Sequence, residues 1–291
     1  DEIQKKGGDN PLVIVGIALV VIAMSFKIAI VPFHMWTPDV YTGAPTPVTG
    51  FLSAAAKAAG FAVFVRVILT GIPLGNANWE NVFWILAVLS MTVGNLMALR
   101  QSEIKRMLAF SSIAHAGYVM VAVVVGSNSA ITGVIFYSFA YAVMGTGAFG
   151  ILTIKDAGRV PETYDDLAGY GVRNPLQALM MTLFMFSLIG LPLTGGFIGK
   201  LQIFSAALNN GWVWLSVIAI LNSALSAYYY LRVVMFMYMR EGALPEGKDL
   251  TGRSSGFALT GLIGTAMAVL YLGVFPDNII ELASSSIQAL L

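Results

Sequence analysis

Long apolar stretches alternate with short polar breaks along the whole chain. Eight apolar runs lie at about 11–41, 45–70, 80–99, 106–126, 129–154, 174–208, 212–239 and 256–275. Most of these runs are near the ~20 residues that a helix needs to cross ~30 Å of hydrocarbon at ~1.5 Å per residue. The pattern therefore predicts an all-α polytopic membrane protein with about eight transmembrane helices.

Two of these runs are too long for a single straight span and contain helix breakers. The first run includes Pro32, and the sixth includes Gly190, Pro192, Gly195 and Gly196. Unwound backbone inside a membrane is tolerated only where protein or water satisfies its hydrogen bonds. We therefore expect two broken helices whose breaks lie in the protein interior. Because the two stand five apart in the series, they cross in opposite directions, as in an inverted repeat.

Composition agrees with a membrane protein and excludes several kinds of site. The mean hydropathy is +0.80, and only 11% of the 291 residues are charged, less than half the share in soluble domains. The absence of cysteine excludes disulfides and cysteine-held iron–sulfur clusters in this chain, and two histidines do not favour a bis-histidine haem site. The net charge of +1, with scattered basic residues, gives no sign of a nucleic-acid partner.

Lysine and arginine divide unevenly between the two predicted sides of the membrane. One side carries Arg100, Lys105, Arg106, Lys155, Arg159, Arg173, Arg240, Lys248 and Arg253. The other side carries Lys5, Lys6 and Arg66. The positive-inside rule therefore predicts that the first side faces the cytoplasm and that both ends of this chain face away from it. The polar opening at 1–10 reads as a loop rather than a signal peptide.

Three lysines fall inside predicted spans, namely Lys27, Lys57 and Lys200. A charged lysine at mid-membrane costs at least ~2.5 to 3.5 kcal/mol, so it should be paired, hydrated or neutral. Burial favours the neutral form, which makes each lysine a candidate proton carrier. The alternative is a static partner for a carboxylate or for backbone carbonyls that a helix break exposes.

Three further polar residues are candidates for chemistry. His34 follows the first break and His115 lies within the fourth span, and each could relay protons or be a hydrogen-bonded structural residue. Two histidines without an acidic partner at ligand spacing do not make a metal site. Asp39 either caps a helix or binds a basic neighbour, and we favour the cap.

Three motifs resemble a known family of membrane subunits. The run Phe26–Val48, FKIAIVPFHMWTPDVYTGAPTPV, looks like the signature of the N-type, antiporter-like subunit of respiratory complex I. Its stretch Thr37–Tyr41 separates it from the M and L subunits and from Mrp-type antiporters, which usually have Leu-Pro-Asp-Ala there. The runs Ile104–His115 and Gly190–Lys200 are similar to the same family.

The resemblance implies a proton-translocating membrane-arm subunit of an NADH (or related donor):quinone oxidoreductase. Such a chain belongs to an enzyme complex but has no redox centre, and FMN, iron–sulfur clusters and quinone are held by partner subunits. The implied partners are M-, K- and J-type membrane subunits and the lipid bilayer. A bacterial plasma membrane, or alternatively an energy-transducing organelle membrane, is the implied location.

The resemblance also assigns roles and repeats. Lys27 matches the lysine of the family's broken seventh helix, Lys57 that of helix eight and Lys200 that of broken helix twelve. We expect a water-filled relay through Lys57, His115 and Lys200, with Lys27 gating it and with breaks at Pro32 and Pro192. The family has fourteen helices, and this chain matches helices seven to fourteen. The resemblance implies that residues 1–70 form the end of the first repeat and that residues 80–240 form the second repeat. Residues 256–291 are then the C-terminal helix and tail.

One family residue has no match in this sequence. A glutamate on helix five partners the seventh-helix lysine, and a separate chain carrying helices one to six, or a longer protein, would supply it. Two rival hypotheses remain: an Mrp-type cation/proton antiporter subunit, and a structural spacer whose lysines form static ion pairs.

Overall fold

The computed structural model describes residues 11–71, 79–154, 160–241 and 256–288, and all regular elements in these ranges are helical. The first half holds α1 (Pro11–Ile28), α2 (Trp36–Gly43), α3 (Thr46–Phe51), α4 (Lys57–Gly71), α5 (Trp79–Leu99) and α6 (Ile104–Val125). The second half holds α7 (Asn128–Ile151), α8 (Tyr170–Arg173), α9 (Pro175–Ile189), α10 (Gly195–Asn209), α11 (Val213–Met239), α12 (Gly256–Val274) and α13 (Asp277–Gln288). The predictions made for the opening loop and for Lys5, Lys6, Lys155, Arg159, Lys248 and Arg253 fall outside the described residues.

The predicted spans agree with these helices. Among the described residues, seven helical segments are long and apolar enough to cross a membrane, one of them running from α3 through α4. Helices α9 and α10 have 15 residues each, or about 22 Å, so neither crosses alone. We assign the two together to one interrupted span, which makes eight and confirms the predicted all-α polytopic fold.

The first break lies between α1 and α2. Helix α1 ends where Ala29 takes a left-handed conformation, with φ of 60°, and the Ile30 amide donates to the Ser25 carbonyl at 2.9 Å. The peptide bond before Pro32 is cis, and the Val31 amide donates to Ser90 Oγ of α5 at 3.1 Å. The exposed backbone of the break is thus satisfied within the protein, as predicted.

The second break, between α9 and α10, ends its first helix in the same way. Gly190 has a φ of 89°, and the Leu191 amide donates to the Phe186 carbonyl at 3.0 Å. The Gly196 amide at the start of α10 donates to Ser187 Oγ at 3.1 Å. A Cβ atom on Gly196 would lie only 1.8 Å from the Ser187 carbonyl oxygen, so glycine is required for this close approach.

The sequence did not indicate one irregularity in the second span. Residues Leu52–Ala56 form a π-helical turn that joins α3 to α4 and ends directly before Lys57. Such turns add one residue to the helical repeat and are frequent at functional sites. Here the turn lies directly before the first residue of α4, Lys57.

Helix α6 lies at the centre of the bundle. Its residues from Met107 to Val124 are all buried, and it contacts α5, α7, α10 and α2. Other helices therefore surround α6 along most of its length. The few polar side chains of α6, among them Ser111, Ser112 and His115, therefore lie in the interior of the protein.

A buried polar network as the candidate functional site

Lys57 lies in the interior and binds one residue of the central helix. Its Nζ donates to both the carbonyl oxygen and the Oγ of Ser112, at 2.5 Å each. A cavity of about 10 Å³ adjoins these atoms and is also lined by His115 and Ser138. Ser138 Oγ is buried and has no hydrogen-bond partner among the described residues. The space is close to the smallest that holds one water molecule, and its polar lining suits one.

His115 is enclosed by tyrosines. Its Nδ1 is 2.5 Å from the Tyr137 hydroxyl and its Nε2 is 2.9 Å from the Tyr230 hydroxyl. The Tyr230 hydroxyl is also hydrogen-bonded to Ser111 Oγ. Serine, tyrosine and histidine can each both donate and accept a hydrogen bond. Ser111, Tyr230, His115 and Tyr137 therefore form one continuous chain of hydrogen bonds.

Lys200 binds the carbonyl groups that the second break exposes. Its Nζ donates to the carbonyl oxygens of Leu188 at 2.9 Å and Ile189 at 2.7 Å, at the end of α9. It also donates to Ser223 Oγ of α11 at 2.9 Å. The last carbonyl groups of a helix have no partner within the helix, and the Lys200 ammonium group satisfies two of them. The position matches the predicted alternative of a lysine held by carbonyls at a break.

Tyr118 connects the histidine to this lysine. Its ring centroid lies 4.9 Å from Lys200 Nζ and 5.6 Å from the His115 ring centroid. In the described chain Lys57 and Lys200 bind neutral oxygen atoms only, and neither is hydrogen-bonded to His115. The arrangement is thus a row of buried polar groups rather than a set of ion pairs.

A second set of polar side chains supports this row from α5. Asn95 donates to Asn222 Oδ1 at 3.2 Å and to the Tyr118 hydroxyl at 3.4 Å, and it accepts from the Tyr229 hydroxyl at 2.7 Å. Asn222 precedes Ser223, which binds Lys200. Asn95 therefore fixes both the ring and the helix that contact Lys200.

Unlike Lys57 and Lys200, Lys27 lies at the surface of the described chain, and its role in the relay stays a prediction. Lys27 is exposed near the end of α1, and its aliphatic stem passes Gly60 of α4. Most of α1 is not covered by other helices of the described chain. The hydropathy pattern could not reveal this, because covered and uncovered spans are equally apolar. His34 is buried at the first break, and its Nδ1 has no partner among the described residues.

The prediction that Asp39 caps a helix is wrong. Helix α2 begins at Trp36 without a side-chain cap, and Asp39 lies in its first turn. The carboxylate instead accepts from Arg106 at 2.9 Å. The basic-neighbour alternative is therefore right, because the first turn of α6 lies beside α2 and carries Arg106. Lys105 holds the other end of α2 through the carbonyl oxygens of Thr42 at 3.1 Å and Ala44 at 2.8 Å.

Sequence reasoning missed the tyrosines of the network. Tyr137 and Tyr141 are four residues apart and thus share one face of α7, which was a usable signal. The contact of Tyr230 with His115 joins residues 115 positions apart and has no local signal. Ser223, which binds Lys200, also has no local signal in the sequence.

Comparison with known proteins identifies the family. The family model described as NADH:quinone oxidoreductase/Mrp antiporter, TM, matches residues 1–226. The chain belongs to this antiporter-like family.

Curated relatives of this antiporter-like family carry the N-type name. The chain is 47% identical over 286 residues to NADH-quinone oxidoreductase subunit N of Trichlorobacter lovleyi, covering 98% of the chain and 58% of the relative. It is 41% identical over 291 residues to F(420)H(2) dehydrogenase subunit N of Methanosarcina mazei, covering 97% of the chain and 58% of the relative. These names confirm the resemblance to the N type. The chain spans between half and two thirds of the length of these relatives.

Solved structures of the antiporter-like family share the fold. A chain of respiratory complex I from Thermus thermophilus matches with a TM-score of 0.80 and 35% identity, covering 94% of this chain and 60% of that one. A chain of the Mrp complex from Dietzia sp. matches with a TM-score of 0.84 and 22% identity, covering 95% and 59%. The second likeness concerns the fold alone.

Proposed function

We propose that this chain translocates protons as an N-type membrane-arm subunit of a quinone oxidoreductase complex. The observation that carries the proposal is the buried row from Lys57 through His115 to Lys200, built of groups that can exchange protons and free of described carboxylate partners. A relay needs lysines whose charge is not neutralised by a fixed anion, because an ion pair would hold the proton in place.

In this proposal each residue has a stated role. Lys57 and Lys200 carry the proton, and His115 with its tyrosines and a water molecule in the adjoining cavity links them. Pro32 and Pro192 supply the breaks, and His34 and Asp39 lie beside the first. The boundaries 1–70, 80–240 and 256–291 remain the proposed repeat units and tail. The two breaks support them, because both end their first helix with the same hydrogen-bond pattern.

Lys27 is exposed on the described chain and has a role apart from the buried row. Its exposed position suits a partner on a helix that this chain does not contain, such as the acidic residue the family resemblance implies. Its stem passes Gly60, three residues after Lys57 on α4, so a change in the pairing of Lys27 would act close to Lys57. Lys27 is therefore proposed to gate the relay.

The partners and cofactors follow from the same proposal. M-, K- and J-type subunits would adjoin this chain in a bacterial plasma membrane, with both of its ends away from the cytoplasm. FMN, iron–sulfur clusters and quinone would be held by partner subunits. The electron donor is either NADH or a related carrier, since relatives of similar identity are named for NADH and for F(420)H(2).

The test is a substitution of Lys57 in the assembled complex. Lys57→Met keeps the length of the side chain but removes the proton site, and we expect proton uptake per quinone reduced to fall while the complex still assembles. Co-purification of redox subunits with the wild-type chain separates this function from the Mrp-type alternative. Proton uptake unchanged in Lys57→Met, or purification without redox subunits, would overturn the proposal.

A further inference from the structure

Arg232 of α11 and Arg240, which directly follows this helix, converge on one aromatic ring. The Cζ atoms of Arg232 and Arg240 lie 5.7 Å and 5.2 Å from the ring centroid of Phe236. Arg232 also stacks on Tyr164, at 4.2 Å from that ring centroid. Aromatic faces hold guanidinium groups by cation–π attraction. The two positive charges are therefore kept close together by the fold.

No described residue neutralises this pair. In ranges 11–71, 79–154, 160–241 and 256–288, no carboxylate lies within salt-bridge distance of either guanidinium group. Arg232 has a carbonyl partner, that of Gln101, at 3.4 Å. Burial raises the pKa of Tyr164 to about 12, so this phenol stays neutral and supplies no negative charge. Two adjacent cations at the edge of a low-dielectric region favour a bound anion.

The two arginines lie at the depth of one layer of lipid headgroups. Helix α11 has 27 residues, about 40 Å, and therefore exceeds ~30 Å of hydrocarbon. The exposed Trp214 near its start suits one membrane interface. Arg232 follows about 27 Å further along the helix, close to the opposite interface. The arginine pair thus lies where phosphate groups of the bilayer lie.

An apolar track leads from the pair toward the middle of the membrane. Exposed side chains follow one another at spacings of three or four residues on this face of α11, namely Leu231, Tyr228, Leu225, Leu221 and Val217. Beside the arginines the face forms a groove of about 720 Å³, also lined by Met235 and Met239. The groove is open on its outer side, because every residue that lines it belongs to α11 or is Arg240.

We propose that Arg232 and Arg240 bind the phosphate of an anionic phospholipid whose acyl chain lies along the apolar track of α11. Guanidinium groups donate paired hydrogen bonds to phosphate oxygens, and the lipid tail extends from its headgroup in the same direction as the track. A neighbouring protein would cover the track but would have to bring its own acidic group to the headgroup layer. An anionic phospholipid supplies both the negative charge for the arginines and the apolar chain for the track in one molecule.

The test measures lipid retention by the assembled complex. The complex is reconstituted into nanodiscs of phosphatidylcholine and phosphatidylglycerol, released, and analysed by native mass spectrometry. Each arginine is expected to contribute about fivefold in affinity, so Arg240→Gln lowers phosphatidylglycerol retention about fivefold and the double change with Arg232→Gln lowers it further. Met235→Trp fills the groove without changing the charge and is expected to lower retention as well.

The control is Arg66→Gln, which removes the same charge from the exposed side of α4 and should leave retention unchanged. The complex must contain all its subunits in every variant, which the same spectra report. Equal phosphatidylglycerol retention in wild type, Arg240→Gln and Met235→Trp would overturn the proposal. So would a cross-link from a cysteine at position 235 to a neighbouring polypeptide in the intact complex, and the chain has no other cysteine to confuse it.

Discussion

At the scale of single residues, the candidate site depends on hydroxyl groups as much as on lysines. Both lysines bind serine hydroxyls and carbonyl oxygens, and both ring nitrogens of His115 meet tyrosine hydroxyls. Hydrogen bonds to neutral groups hold the two lysines and His115 in place without fixing their charge in an ion pair. The hydroxyl groups should therefore be needed for transport rather than for folding alone.

Tyr230→Phe tests this role. The change removes the hydroxyl that joins Ser111 and His115 but keeps the buried ring, so the complex should assemble. Each of the two lost hydrogen bonds is worth about 1 kcal/mol, and the interrupted path costs more, so we expect proton uptake to slow about tenfold or more. Tyr238→Phe on the exposed face of the same helix is the matched control and should transport normally. Equal rates in the two variants would contradict the role.

At the scale of elements, sequence and structure agree where the signal is local. Pro32 and the segment from Gly190 to Gly196 interrupt their helices as predicted, because breakers act on the residues beside them. The π-helical turn before Lys57 was not predicted, and the sequence did not identify Arg106 as the basic neighbour of Asp39. Both depend on which helices meet, and a linear pattern does not contain that information.

The junction of α9 and α10 offers a test at this scale. In Gly196→Ala the new methyl group would meet the Ser187 carbonyl oxygen, which is backbone and cannot rotate away. We expect a loss of about 3 kcal/mol or more and poor assembly of the complex. Gly264→Ala in α12, where a Cβ atom meets nothing within 4 Å, is the control. Thermal unfolding of the purified complexes compares the two, and equal midpoints would contradict the close approach.

At the scale of the whole molecule, the fold encloses α6 and leaves α1 open. The buried row passes through the middle of the bundle, where α6 supplies Ser112, His115 and Tyr118. The exposed side of α1 carries Lys27, which a sequence pattern could assign to a span but not to an interior. The positive-inside rule additionally assigns each loop to one side of the membrane.

A pair of cysteine substitutions tests this orientation. Ser102 and Ser129 are exposed beyond opposite ends of α6, and the chain contains no native cysteine. We expect a membrane-impermeant maleimide added outside intact cells to label Ser129→Cys and not Ser102→Cys. Inverted vesicles should give the reverse result. Labelling of Ser102→Cys in intact cells would contradict the assigned orientation.

The central claim is that Lys200 carries protons rather than only capping a helix, and Lys105 provides a matched comparison. Both lysines bind two carbonyl oxygens at or just beyond the end of a helix, Lys200 in the interior and Lys105 at the margin of the bundle. Loss of the contact should cost about 0.3–1 kcal/mol of stability at Lys105 and about 1–3 kcal/mol at the buried Lys200.

The deciding measurement is proton uptake per quinone reduced, in vesicles containing the complex with Lys200→Met or Lys105→Met. We predict that Lys200→Met lowers this ratio while Lys105→Met leaves it at the wild-type value. Equal ratios in both variants and wild type would mean that Lys200 is a structural cap and would contradict the account.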